Sequence, residues 1–123
     1  VPVYSKWDND EQTIYRVECA GTDWAWNDFS NAVVKAYKFL GEAGYDIDFI
    51  MQFGDWLPEG NAMAHMKYAG KQPANIRRTV IVNRSGLFIE MLIKAVDRIE
   101  KWEGPAMMKT LEEAYAYLAT PAD

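Results

Sequence analysis

Reactive side chains are scarce in this sequence. There is one histidine, His65, and one cysteine, Cys19, among 123 residues. A lone cysteine excludes an intramolecular disulfide and fits a reducing compartment. Neither residue has a second His or Cys at ligand spacing, so the sequence offers no imidazole or thiolate metal site and implies no cofactor. Glycine-rich phosphate loops are absent. Apolar runs are strand-length, well short of the roughly 20 residues that span a bilayer, and the first residues carry no basic region leading into a signal-peptide core. A cytoplasmic protein without a membrane segment is therefore expected. Basic charge is also sparse. A net charge of −5, with Arg77, Arg78 and Arg84 as the one basic cluster, argues against nucleic-acid binding, which depends on clustered Lys and Arg. The expectation for Arg77 and Arg78 is a solvated strand start.

What remains has the balance of a single globular domain, half hydrophobic and a quarter charged, spanning 1–123. Its centre is Tyr45 to Met66. The apolar run Tyr-Asp-Ile-Asp-Phe-Ile-Met-Gln-Phe ends at Gly54 and reads as a strand buried on both faces, delivering the loop from Gly54 to Asn61 to a short helix over 61–68. Two β-branched and aromatic segments, Val1 to Trp7 and Thr13 to Cys19, flank the turn cluster 8–11 and predict a hairpin. Pro2 and Lys6 suit an edge strand. Phe29, Ala32, Val33, Ala36, Tyr37 and Leu40 recur at helical spacing, behind Asn27 and Asp28 as starting residues and ahead of Gly41 or Gly44 as the stop.

Arg78 to Asn83 is β-branched on both parities and predicts another buried strand. Ser85 and Gly86 open a helix with the stripe Phe88, Met91, Leu92, Ala95, Val96 and Ile99, which Gly104 and Pro105 end. Ala106 to Lys109 is a short strand, and Thr110-Leu-Glu-Glu113 is a capping box worth about 1 kcal/mol to the final helix. The fold class is α/β, in the order β-β-α-β-α-β-α-β-α: a mixed, mainly parallel sheet with an N-terminal antiparallel strand.

This order resembles the STAS/SpoIIAA-like fold of anti-sigma-factor antagonists and sulfate-transporter domains. The likeness covers nearly the whole chain and has two local pieces, Gly54 to Met63 and Thr110-Leu-Glu-Glu-Ala-Tyr-Ala-Tyr-Leu118. It implies a non-catalytic regulatory or protein-interaction module. In the antagonist branch the loop after the central strand reads Asp-Ser-Ser-Gly and its serine is phosphorylated. Here Leu57-Pro-Glu-Gly-Asn61 holds no serine or threonine, so the phosphoswitch is not expected. Glu59 is left as a fixed negative charge near a helix start, worth about 0.3 to 1 kcal/mol to the helix.

Two candidate sites follow. The first is a partner-binding surface made by Trp56, Leu57, Glu59 and Met63, for a protein partner or self-association, because exposed aromatic and methionine side chains carry interface energy out of proportion to their number. The second is a ligand site. Trp24, Trp26, Phe53 and Trp56 all lie at the carboxyl side of the sheet and could form an aromatic mouth with Asp55, Arg84 and Ser85. The amides of Ser85 and Gly86, beside Arg84, could hold an anion. The competing expectation for the tryptophans is a lid on the core. No catalytic residue is assigned.

Overall fold

The computed structural model describes residues 3–60, 62, 64, 65, 70–87, 90, 91 and 105–121. Their elements are β1 (Val3–Trp7), β2 (Ile14–Cys19), α1 (Trp26–Gly41), β3 (Ile47–Phe53), β4 (Ile76–Asn83), β5 (Ala106–Met108) and α2 (Leu111–Leu118). The five strands form one mixed sheet in sequential order. β1 runs antiparallel to β2, and every later pairing is parallel, as the hairpin signal and the buried apolar runs predict.

The hairpin turn is organised by Asn9, whose side-chain oxygen accepts from the amides of Thr13 at 2.9 Å and Ile14 at 3.1 Å. A short amide side chain taking over backbone partners is the reason Asn favours such turns. α1 begins slightly before the expected Asn27. Asp28 lies in its first turn and accepts from the amide of Ala25 at 2.8 Å, which satisfies a donor and sets a negative charge at the positive end of the helix dipole. Beyond α1, Gly44 has φ +78, a conformation that costs glycine little. The threonine cap of α2 forms as expected, with Thr110 Oγ1 accepting from the Glu113 amide at 3.1 Å. The Glu113 carboxylate meets the Thr110 hydroxyl at 3.2 Å.

Alternation along the strands divides the sheet into two faces. Val17, Cys19, Phe49, Met51, Phe53 and Ile81 face α1, joining Phe29, Val33, Ala36, Tyr37 and Leu40 in the main core. Ile50, Val80 and Val82 face the other way, against Ala114 and Leu118 of α2. The two helices therefore cover opposite faces.

A β-bulge shapes the second face. From Ile47 to Phe49 β3 advances two residues, while β4 advances three from Ile76 to Thr79. The extra residue turns both Arg77 and Arg78 toward α2. Arg77 grips Asp48 with two bonds of 2.9 Å and donates to the Leu118 carbonyl at 2.7 Å. Arg78 donates to the carbonyls of Tyr117 and Pro121 at 2.8 and 2.7 Å, and its guanidinium lies 4.9 Å from the Tyr117 ring centroid. α2 has no basic residue in its last turn, so β4 supplies the cations that its terminal carbonyls favour. The pair clamps the helix end, with Arg77 still exposed as expected of a solvated strand start and Arg78 half-buried. The hydrogen bond to Asp48 holds the Arg77 guanidinium above its ordinary pKa.

Parts of two expected helices lie outside the described residues, among them Met63, Phe88, Leu92, Ala95, Val96 and Ile99. Ala62, Ala64, His65, Leu87, Glu90 and Met91 are helical.

Candidate functional site

The loop after β3 is fixed at its ends. Asn83, fully buried at the end of β4, donates from its amide nitrogen to the carbonyls of Phe53 at 3.1 Å and Gly54 at 3.0 Å. The Gly54 amide donates to Cys19 at 3.0 Å. At the far end Trp26 Nε1 donates to the Pro58 carbonyl at 3.1 Å. Gly60 then takes φ +122, where a side chain would be strained and its Cβ would stand 3.5 Å from the Trp26 ring. Loop and tryptophan stretch are therefore a fitted pair.

The four aromatic residues expected at the mouth do meet. Trp24 and Trp26 cross edge to face at 5.1 Å between centroids, and Phe53 lies 6.2 and 6.1 Å from them. Phe29 completes the cluster, 5.2 Å from Phe53. Trp24, Trp26, Phe29 and Phe53 are buried, so these rings belong to the core. Trp56 differs: it is 36 % exposed and rests edge-on against Trp24 at 5.9 Å. Such contacts hold a ring at a fixed angle and add about 0.5–1.5 kcal/mol beyond area burial. Leu57 is half-buried against the core, while Asp55 and Glu59, on the same loop, are exposed. Met63 lies outside the described residues.

One polar atom in this cluster is unmatched. Trp24 is 5 % exposed, and its buried Nε1 has no hydrogen-bond partner among the described residues. An indole N–H so placed forfeits a bond worth about 1–3 kcal/mol to leave unmade.

The suggested anion site is less defined. Arg84 and Ser85 are exposed, and Gly86 has φ +75. Ser85 Oγ accepts from the Leu87 amide at 3.2 Å, so the hydroxyl is engaged in starting its own helix. Lys109 stands close: a Cβ on Gly86 would lie 3.8 Å from its Cε.

Two polar constellations were not anticipated from sequence. His65 Nδ1 lies 3.1 Å from Ser30 Oγ, at an open cleft of about 270 Å³ lined also by Asn27, Asn31 and Val34. Ser30 is buried in the first turns of α1, with its oxygen 3.2 Å from the Trp26 carbonyl and 3.3 Å from that of Asn27. The Ser30 hydroxyl donates to Nδ1 when that nitrogen is bare and accepts from it when it carries the proton, so in either tautomer the contact ties α1 to the segment after the loop.

The second constellation lies on the α2 face. Arg16, 8 % exposed, donates to Asp8 at 3.1 Å and to Gln52 Oε1 at 2.6 Å, with Glu18 at 3.5 Å. Tyr115 donates to the other Asp8 oxygen at 2.8 Å. The signal was present as parity: Arg16 and Glu18 on β2, and Asp48 and Gln52 on β3, are polar residues at alternating positions of strands that otherwise read as apolar. Cys19, on the opposite face, has its thiol pKa pushed up by burial and then by Glu18 and Asp28, which keeps it protonated.

Among the described residues no group of three or more His, Cys, Asp or Glu could hold a metal ion, and no helix is long and apolar enough to cross a membrane. Comparison with protein-family models, with curated proteins and with solved structures returned no match for the chain.

Proposed function

We propose that the protein is a non-catalytic interaction or regulatory module of STAS/SpoIIAA-like type, which binds a protein partner through the loop from Gly54 to Gly60. The observation that carries the reading is the placement of Trp56. It is the exposed ring of a cluster whose other tryptophans are buried, and it is braced from beneath by Trp24. Exposed tryptophans seated against a packed cluster are the side chains that most often dominate interface energies. The antiparallel first strand followed by parallel strands in sequential order supports the fold-level part. A buried lone cysteine suits the cytoplasm.

The test is capture from cell extract by the wild type, Trp56→Ala and Leu87→Ala, the last removing another exposed apolar side chain. A species retained by wild type and Leu87→Ala but lost with Trp56→Ala is the expected result. Equal capture by both variants would remove the loop from consideration. A second reading, a small-ligand site, is favoured by the unmatched Trp24 N–H, since a bound acceptor would supply its bond.

A further inference from the structure

We infer that the occupant of the Trp56 loop is a basic peptide segment, whose cationic side chain lies on Trp56 and whose main-chain carbonyl accepts from Trp24 Nε1 once Trp56 tips aside. The inference rests on the interaction reading above and specifies its partner.

Two independent observations converge on it. The first is the unmatched donor. Among the described residues, Trp26, Phe53 and Trp56 pack against Trp24, and of these Trp26 and Phe53 are buried while Trp56 reaches solvent. Trp26, two residues on, shows what such an N–H takes here: a main-chain carbonyl, that of Pro58. Among the described residues, the hydrogen bonds of the loop fall at Gly54 and Pro58, on either side of Trp56.

The second is charge. The stretches that bring Trp24 and Trp56 together contain no lysine, arginine or histidine from Val17 to Val34 or from Phe39 to Ala64. They carry Asp23, Asp55 and Glu59, all exposed. An exposed indole on a loop that carries exposed carboxylates attracts a guanidinium or ammonium by both its quadrupole and the charge of the loop, and disfavours an acidic partner. A carbonyl, being neutral, accepts from Trp24 without opposing that field. A second copy of the chain, itself at net charge −5, is the poorer match.

The test uses three capped pentapeptides that differ only at the centre, carrying arginine, citrulline or glutamate, together with N-methylacetamide as a bare carbonyl. The indole N–H resonances of the 15N-labelled protein are followed, assigned with Trp24→Phe and Trp56→Phe. At millimolar concentration the arginine peptide is expected to shift both resonances, with the Trp24 proton moving downfield by several tenths of a ppm as it gains an acceptor. The glutamate peptide should leave both in place. Raising salt tenfold, or neutralising the exposed rim with Asp23→Asn, Asp55→Asn and Glu59→Gln, should weaken the arginine peptide at least several-fold, and Trp24→Phe should do so without unfolding the protein. Arginine-peptide shifts at Trp56 with an unmoved Trp24 proton would overturn the inference while leaving the loop as a binding surface. Equal response to all three peptides, or to N-methylacetamide alone, would overturn it in favour of a small-ligand site. Silence of Trp56 toward every probe would take the interaction reading down with it.

Discussion

The two faces of the sheet are held by different physics. Under α1 the strands present Val17, Phe49, Met51, Phe53 and Ile81, all at most 2 % exposed, to a helix stripe of Phe29, Val33 and Leu40. Under α2 the apolar contact is small, and the rest is pairing: Arg16 with Asp8, Arg77 with Asp48, and Arg78 with the end of the helix. Burial is non-directional and tolerates repacking, whereas an ion pair buried on both sides, as Arg16–Asp8 is, stabilises only while both partners are present. One face therefore answers to volume and the other to stoichiometry of charge.

The largest effect should come from the first face. Phe29 is fully buried and contacts the Trp26 and Phe53 rings at 6.0 and 5.2 Å. Phe29→Ala should cost about 3–5 kcal/mol in urea unfolding, a large share of a stability typically about 5–15 kcal/mol. A loss below about 1 kcal/mol would mean that the aromatic cluster collapses freely into the gap and is not the rigid support that Trp56 needs.

On the second face Asp8→Ala leaves the Arg16 guanidinium buried with Gln52 and the more distant Glu18. Breaking one partner of such a pair costs about 3–5 kcal/mol, and Glu18 places the expectation at the lower end. The distinguishing measurement is the double variant Asp8→Ala with Arg16→Met, which removes the stranded charge and should recover part of the loss. Additive losses from the two single changes would show that the face is held by packing after all, and the contrast between faces would fail.

The same contrast decides what could be read in advance. The α1 face is written as periodicity: Phe29, Val33, Tyr37 and Leu40 at steps of three and four, and Phe49, Met51 and Phe53 at steps of two, so its helix, strands and core are legible. The convergence of Trp24, Trp26, Phe53 and Trp56 is legible too, because strand ends and the loops after them share one edge of the sheet. The α2 face is not. Arg77 and Arg78 look like exposed charge because adjacent strand residues normally point to opposite faces. Only the bulge, a matter of register between β3 and β4, turns both onto α2. Likewise Asp8 belongs to a polar turn, and its partner Tyr115 lies 107 residues away, so no local pattern announces the bond. The unmatched Trp24 N–H is a property of surroundings rather than of residue type, and it emerges only from the packed structure.

The smallest effect isolates that long-range bond. Burial, then the hydrogen bond that Tyr115 donates to Asp8 and the charge of that carboxylate, push the Tyr115 phenol up to about 12 from 10.0, with Arg16 pulling the other way. Only the protonated phenol can donate. The unfolded chain loses this proton near pH 10 and the folded one near 12, so the contribution is complete below about pH 10 and is lost as pH rises from there toward 12. Tyr115→Phe should cost about 1 kcal/mol at neutral pH, the usual net worth of one hydrogen bond. Tyr37, also raised by burial, adds its own alkaline loss, but equally in both proteins. The difference between wild type and Tyr115→Phe, followed by urea unfolding from pH 8 to 12, should therefore shrink across that window. Parallel curves would show that the Tyr115 hydroxyl does not tie α2 to the hairpin, leaving the arginine clamp on β4 as the polar hold on that helix.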